Sequence, residues 1–263
     1  MMVPMFIRAC LIAATLVGAT AVAQTGPTVL RATYIAQNPV QAFVDPASGR
    51  VRGPAADITR ALAQQLGVPW TITGAQGAVG VIERVVRGEA DIGFVAFDPL
   101  RAVDVDFSQA YSLSQNAYLV ADASPLRRAA DVDAPDVRIG VRKGDAGEFF
   151  LTRTLKNATL LRDDGGSLED AARQLRAGAI SAYAANRHRL TGFVAATPGY
   201  RILEGNFYPV EQAIAVRKGN TVMLGVLNTF LDQARVSGLI ATSIRQAGLS
   251  GVDVAPAPVA RKN

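Results

Sequence analysis

The chain has 263 residues, a formal charge of +5, 49% hydrophobic residues and 19% charged residues. This is the composition of a globular protein, because disordered chains are less apolar and more charged, and the length allows one large domain or two smaller ones. The single cysteine and the single histidine argue against a disulfide framework, a Cys- or His-based metal site and a Ser-His-Asp triad. We therefore predict no metal and no cofactor.

Residues 1–23 have the pattern of a secretory signal peptide. Arg8 supplies a basic start, residues 9–23 carry no charge, and the run ends in Ala21, Val22 and Ala23, which form an A-x-A cleavage site. The apolar run is shorter than the roughly 20 residues that a membrane span needs. We predict cleavage after Ala23 and a periplasmic location; a retained anchor helix is the alternative.

The basic residues are dispersed along the chain, and aromatic residues make up only 6% of it. A nucleic-acid-binding protein usually concentrates its basic residues on one stripe, with aromatic side chains for stacking. We therefore predict no nucleic-acid partner and assign the excess charge to solvation and to one anion pocket.

The first part of the chain alternates short β-rich runs with helical patterns. Strands are predicted at 28–34, 70–73 and 91–96, and helices at 53–66 and 79–87. Gly67 and Pro69 stop the first helix. Repeated strand-helix-strand units favour a parallel sheet with right-handed crossovers.

The same pattern then restarts. Strands are predicted at 137–141, around Leu160 and at 180–185, helices begin at Asp145 and Ser167, and two helices at 222–235 and 238–247 close the chain. Ser167 and Asp170 have the spacing of a capping box. The run RGEADIGF at 87–94 and the run RAGAISAY at 176–183 share the order helix end, glycine turn and strand. We therefore predict an α/β protein with two similarly built lobes.

Four stretches in order resemble motifs of one known family. They are GPAADI at 53–58, RGEADI at 87–92 followed by Arg101 and DFSQAY at 106–111, RIGVRKG at 138–144, and AIAVRKG at 213–219. On these stretches the chain resembles the extracytoplasmic solute-binding proteins of the amino-acid-binding kind, the receptor components of ABC importers. The resemblance covers nearly all of the chain that follows the predicted signal peptide.

The resemblance implies two α/β lobes, joined by two hinge strands, with a ligand cleft between them. Lobe one would consist of residues 24–112 and 213–263, and lobe two of residues 113–212. Open α/β sheets generally hold their ligands at the carboxyl ends of the strands, which agrees with a cleft between lobes.

The resemblance also implies which residues hold a carboxylate. Arg101 matches the family arginine for this group, and a guanidinium offers a planar fork that fits a carboxylate with two parallel bonds. A second grip would come from the helix start at Asp145 and Ala146, where backbone N–H groups favour an anion. Asp145 has an alternative role as the N-cap of that helix.

The position that would bind an amine departs from the family pattern. Asn186 stands where the family has an acid, and Asp98 lies in a loop about two residues shorter than usual. A buried ammonium needs a carboxylate or several acceptors, so a small carboxylate without a free α-ammonium is preferred. Arg187 would bind a second anionic group; a solvated arginine is the alternative.

Aromatic side chains often form the walls of such a cleft. Tyr34 and Phe97 are candidates, with a core or rim position as the alternative for each, whereas Trp70 is expected in the core.

The predicted function is a monomeric periplasmic binding protein, not an enzyme, that holds a small amino acid or organic acid and presents it to a membrane ABC permease. One alternative is a prephenate-type dehydratase on the same fold, with Asp98, Asp145 or Glu148 as general acid. Another is a ligand sensor for a membrane kinase. Fold alone does not decide among these functions.

Overall fold

A computed structural model of the chain describes residues 28–165 and 167–258. The predicted signal peptide at 1–23 lies outside the described residues. Seven α-helices are found in the described part: α1 (Pro54–Leu66), α2 (Gly77–Val86), α3 (Ala146–Thr154), α4 (Leu168–Arg176), α5 (Arg187–Ala196), α6 (Thr221–Val236) and α7 (Leu239–Gln246). None of these helices is both long and apolar enough to cross a lipid bilayer.

Thirteen strands are found in the same residues. They are β1 (Leu30–Ile35), β2 (Phe43–Val44), β3 (Val51–Arg52), β4 (Trp70–Ala75), β5 (Ile92–Ala96), β6 (Val105–Phe107), β7 (Ser112–Ala121), β8 (Arg138–Arg142), β9 (Thr159–Asp163), β10 (Ala182–Asn186), β11 (Tyr200–Ile202), β12 (Tyr208–Arg217) and β13 (Val252–Val254).

The main sheet has two parallel parts linked by two long antiparallel strands. Its order is β4-β1-β5-β12-β7-β10-β8-β9, with β6, β11 and β13 on the side, and β2 and β3 form a separate hairpin. Strands β4, β1 and β5 are parallel, and we call them the first half-sheet. Strands β10, β8 and β9 are also parallel and form the second half-sheet.

The two linking strands, β7 and β12, pair with each other and with both half-sheets. Residues 112–116 pair with 208–212, β12 continues along β5, and β7 continues along β10. This arrangement confirms the expected two-lobed α/β fold. The lobe boundaries at Ser112 and Ala213 stay a prediction; they fall at the start of β7 and within β12.

Each half-sheet has its own hydrophobic core. Helices α1, α6 and α7 pack on the first half-sheet, so the C-terminal helices return to the part of the fold where the chain begins. Helices α4 and α5 pack on one side of the second half-sheet and α3 on the other. Separate cores of this kind let each half fold around its own apolar side chains.

Local sequence signals explain how α1 is bounded. Gly53 has a φ of 107°, Pro54 occupies the first turn where its missing N–H costs nothing, and Gly67 ends the helix in the left-handed conformation. Ile58 and Leu62 are fully buried on the inner face. Trp70 is not in the core as expected: it is 36% exposed because β4 is the edge strand of the first half-sheet.

Candidate functional site

A cavity of about 80 Å³ lies between the two half-sheets. Its lining comes from the first half-sheet and its loops, from the linking strands, and from the second half-sheet with its adjoining helices. The chief lining residues are Gln37, Asn38, Ala96, Arg101, Ser114, Asn116, Arg142, Asp145, Ala146, Gly147, Asn186, Arg189, Phe207 and Gln212. A cavity of roughly 150 Å³ holds benzene, so this smaller space limits the solute to a small molecule.

Strand ends bring these side chains together. Ala96 ends β5, Arg142 ends β8 and Asn186 ends β10, and each faces the cavity. The carboxyl ends of parallel strands meet at one edge of a sheet, where α/β proteins hold their ligands. The linking strands contribute Ser114, Asn116 and Gln212 where they cross between the halves.

Arg101 spans the gap between the two halves of the molecule. It lies in a 3₁₀ turn after β5, and its Nη1 donates to the Ala96 carbonyl at 2.8 Å, while its Nη2 donates to the Gly144 carbonyl at 2.7 Å. Gly144 precedes α3, on the opposite side of the cavity. The guanidinium carbon also lies 5.3 Å from the ring centroid of Phe149.

Arg101 is buried with little compensation for its charge. The residue is 7% exposed, and within the described residues its guanidinium donates only to those two carbonyls. Burial lowers the pKa of Arg101, and the nearby charges of Asp98 and Asp145 offset part of this effect. Since a buried cation is stabilised most by a hydrogen-bonded anion, the site favours a negatively charged ligand group.

Asp145 and Ala146 form the start of α3 and line the cavity. Asp145 occupies the N-cap position that the alternative gave it, but its carboxylate makes no capping hydrogen bond. Burial raises the pKa of Asp145, against the opposing effects of Arg142, Arg189 and Arg101. The first-turn N–H groups of α3 are therefore left without an acceptor from the N-cap side chain.

Arg142 and Arg189 are cavity residues that were not expected from the sequence. Arg142 is the last residue of β8, and Arg189 lies in the first turn of α5. A signal was present for both, because Arg142 belongs to the RIGVRKG stretch and Arg189 comes three residues after Asn186. No rule of spacing distinguishes these arginines from the neighbouring Lys143 and Arg187.

Asn186 lines the cavity with an amide that is already partly used. Its Oδ1 accepts the His188 backbone N–H at 3.0 Å, which caps α5, and its Nδ2 donates to Ser114 Oγ. An amide oxygen that caps a helix has one lone pair left to offer. Gln212, another cavity residue, accepts a hydrogen bond from Gln41 at 3.0 Å.

Phe97 and Asp98 do not line the cavity. Asp98 is 2% exposed; its Oδ1 accepts the Leu100 N–H at 2.9 Å, and its Oδ2 accepts both Nη atoms of Arg153 at 3.1 Å. Because Arg153 lies on α3, this ion pair joins the two halves. The ring of Phe97 packs edge-on against Phe107, with centroids 5.4 Å apart.

Tyr34 and Arg187 also lie outside the cavity lining. Tyr34 is 2% exposed in the core of the first half-sheet, and burial raises the pKa of its hydroxyl. Arg187 donates from Nε to Asn206 and from Nη2 to the Gly205 carbonyl. Of the eight residues proposed from sequence, the structure brings four together at the cavity: Arg101, Asp145, Ala146 and Asn186.

Glu148 is engaged elsewhere on α3. Its Oε1 accepts hydrogen bonds from Arg162 at 2.7 Å and Thr152 at 2.9 Å. Burial raises the pKa of Glu148, but these bonds outweigh it and the net pKa is lowered. In the described part of the chain, no group of three or more His, Cys, Asp and Glu side chains is placed to hold a metal ion.

Comparison with known proteins gives the family. Residues 30–247 match the family described as bacterial extracellular solute-binding proteins, family 3. The chain belongs to this family. The match confirms the family that the four sequence motifs indicated. No curated protein sequence matches this solute-binding protein significantly.

Solved structures share its fold. The substrate-binding protein of an amino acid ABC transporter has 24% identity and a TM-score of 0.66, over 83% of this chain and 98% of that one. The L-arginine-bound AbpA from Streptococcus pneumoniae has 21% identity and a TM-score of 0.68, over 84% and 94%. An ancestral amino acid-binding protein, a precursor of cyclohexadienyl dehydratase, has 23% identity and a TM-score of 0.67, over 83% and 94%.

Proposed function

We propose that this solute-binding protein is the substrate-binding component of an ABC importer and holds a small carboxylate or amino-acid-like solute between two closing lobes. The carrying observation is the buried guanidinium of Arg101, which borders the cavity and bonds to carbonyls on both sides of it. The lobes are residues 24–112 with 213–263, and residues 113–212. No covalent bond is made or broken in this role.

Ligand binding would be coupled to lobe closure. The closed form is stabilised by contacts that exist only when both lobes touch the solute. A ligand anion would receive bonds from Arg101 and from the first-turn N–H groups of α3, which come from opposite sides of the cavity. The start of α3 adds the positive end of a helix dipole.

The location and partners belong to the same proposal. The signal peptide predicted at 1–23 supports export to the periplasm, where a monomer would deliver its solute to a membrane permease. A sensor that reports to a membrane kinase would use the same cleft, and the permease partner distinguishes transport from sensing.

A dehydratase is the second candidate, because Asp145 has the properties of a general acid. Its carboxyl lines the cavity, and burial raises its pKa, which favours the protonated form that such an acid needs. Asp98 and Glu148, the other two acids considered, are held by Arg153 and Arg162. Release of product from a prephenate-like acid, lost in Asp145→Asn, would favour the enzyme.

The Arg101→Ala variant tests the receptor function. Small organic acids and amino acids are screened by thermal shift, because a ligand that binds only the folded state raises its Tm. We expect the variant to lose about 3–5 kcal/mol of binding free energy, more than a hundredfold in Kd, because the ligand anion loses its buried partner.

Arg187→Ala is the matched control, since Arg187 is a half-buried arginine that bonds to carbonyl and amide oxygens outside the cavity. It should keep the wild-type shift. Circular dichroism of both variants without ligand establishes that they fold, and Arg101→Lys, which keeps the charge without the fork, should recover part of the shift. A full shift in folded Arg101→Ala would exclude the proposed cleft chemistry.

A further inference from the structure

Positive charges outnumber negative charges among the side chains that line the cavity. Among the described residues, Arg101, Arg142 and Arg189 face it, together with the single carboxyl group of Asp145. When Asp145 is ionised the lining carries a net charge of two positive units, and when it is protonated the excess is three. A ligand that enters this space meets a strongly positive surface.

In the described part of the chain, the guanidinium groups of Arg142 and Arg189 are not bonded to the protein. Within residues 28–165 and 167–258, neither guanidinium takes part in a hydrogen bond or an ion pair, and both residues are half-buried. The neighbouring strand gives a contrast, because Arg162 of β9 is paired with Glu148 at 2.7 Å. Asp145 acts electrostatically on both arginines but forms no ion pair with either, so these half-buried guanidinium groups are compensated only in part and a ligand anion would be stabilised there.

The two arginines lie at or just after the ends of two adjacent strands of one sheet. Arg142 ends β8, Arg189 lies in the helix that follows β10, and β8 pairs with β10 in parallel. Both act electrostatically on Asp145. They therefore form one basic wall, on the second half-sheet, that is separate from the Arg101 turn on the first half-sheet.

We infer that the ligand is a small dianion, in which one carboxylate binds Arg101 and the start of α3, and a second anionic group binds Arg142 and Arg189. This inference rests on the proposed receptor function and narrows its ligand class. The sequence suggested Arg187 as the second anion site, but the donors of Arg187 are held by Asn206 and Gly205. The inference places the second anion site at the basic wall instead.

The same wall disfavours cationic ligands. A lysine- or arginine-like side chain would approach three guanidinium groups, and like charges at close range repel. Among the described lining residues, Asp145 carries the one carboxyl group that could compensate the positive charge of such a ligand, and Phe207 is the one aromatic side chain that could contact it. A second carboxylate on the ligand instead finds the two guanidinium groups of the wall.

Isothermal titration with matched acids tests the charge preference. The panel consists of the dicarboxylates from malonate to adipate, butyrate as a monoanion, L-glutamate, L-alanine and L-arginine. We expect at least one dicarboxylate to bind tenfold or more tightly than butyrate, and L-arginine to bind more weakly than either. Equal affinity for butyrate or L-alanine, or no binding by any dicarboxylate, would overturn the inference.

Variants of the two basic-wall arginines test whether these residues cause the preference for dicarboxylates. Arg142→Gln and Arg189→Gln should each lower the ratio of dicarboxylate to butyrate affinity by tenfold or more. Arg127→Gln is the control, because Arg127 is exposed and does not line the cavity, and it should leave the ratio unchanged. An unchanged ratio in both wall variants would contradict the assignment.

Asp145→Asn separates a dianion from an amino acid. Removal of a negative charge beside the wall should strengthen dicarboxylate binding, whereas an α-ammonium held by Asp145 would be bound more weakly. Weaker binding of every ligand in this variant would overturn the dianion. If Arg101-dependent binding is found but favours L-alanine, the receptor function stands and this inference fails; if no member of the panel binds, the receptor function fails as well.

Discussion

Two aspartates in the second half of the molecule are perturbed in opposite directions. Burial raises the pKa of Asp145, which has no capping bond. The pKa of Asp133 is lowered, because its carboxylate accepts backbone N–H groups of Ala158, Asn157 and Lys156 at 2.8–3.0 Å. Burial without hydrogen bonds favours the neutral acid, and donors to the carboxylate favour the charged form.

Asp145→Asn should therefore raise the Tm at pH 7. The folded-state pKa of Asp145 exceeds the usual 3.8, so its contribution to stability is fully present below that pH and is lost as the pH rises through the folded-state pKa. Asparagine avoids this loss. Thermal unfolding from pH 3 to pH 8 should show a gain for the variant that disappears toward the acid end.

The Asp133→Asn substitution is the paired measurement, and its effect on the Tm at pH 7 should have the opposite sign. Its folded-state pKa lies below 3.8, so its contribution is present at neutral pH and disappears as the pH falls through the folded-state pKa. This variant should be less stable than wild type at pH 7. If both substitutions shift the Tm in the same direction at pH 7, the assignment of one desolvated and one hydrogen-bonded carboxylate is wrong.

Helices α3 and α6 differ in how their N-termini are satisfied. Helix α6 begins after Asn220, whose Oδ1 accepts the Met223 N–H at 3.1 Å. Helix α3 begins after Asp145 without such a bond. A capped start stabilises a helix, whereas an uncapped start beside a cavity keeps N–H donors for an anion.

Asn220→Ala should cost about 1 kcal/mol of unfolding free energy, since it removes an N-cap acceptor. For a domain of this size the loss corresponds to a Tm lower by about 2–4 °C, which differential scanning calorimetry resolves. Gln76→Ala is the control, because Gln76 holds the N-cap position of α2 without a side-chain cap bond. Equal losses in the two variants would argue against capping as the cause.

At the scale of the whole molecule, the contacts between the two halves are not confined to the cavity lining. Asp98, in the loop after β5, is paired with Arg153 of α3 at 3.1 Å. Ala96, Ala146 and Val210 also form a small buried cluster between the halves. In the proposed receptor, contacts of this kind would stabilise the closed form before any solute binds. They would therefore set how much of the ligand's binding free energy is needed for closure.

The Arg153→Ala substitution should weaken solute binding about tenfold, although Arg153 itself is not proposed to contact the solute. Arg153 is 46% exposed, so solvent screens the pair, and we expect a loss of about 1.4 kcal/mol in the closed form rather than the several of a fully buried pair. Surface plasmon resonance should show the change mainly in the dissociation rate.

Arg162→Ala provides a matched control. Arg162 is 40% exposed and pairs with the buried Glu148 of α3, within one half of the molecule. Its loss should lower the Tm but leave the affinity unchanged. A similar loss of affinity in the two variants would show that the Asp98–Arg153 pair has no special part in closure.

Sequence patterns predicted the elements that are bounded by local signals. The helix expected at 53–66 is found at Pro54–Leu66, and the helix expected at 222–235 is found at Thr221–Val236. The linking strands were not predicted from periodicity. In the first part of β7 the buried side chains are the polar Ser112, Ser114 and Asn116, so the alternation there places polar residues inside and gives no apolar period to detect.

The sequence by itself determined the α/β order and the family, because helical spacing, turn residues and motifs act over a few neighbouring positions. Tertiary structure alone decided the environment of each charge. Asp98 meets Arg153, 55 residues away in the chain, and is removed from the cavity, whereas Arg142 and Arg189 face the cavity near Asp145 and form no ion pair among the described residues. Electrostatic energies depend on distance and burial in three dimensions. Spacing along the chain specifies neither the distance between two charges nor their burial.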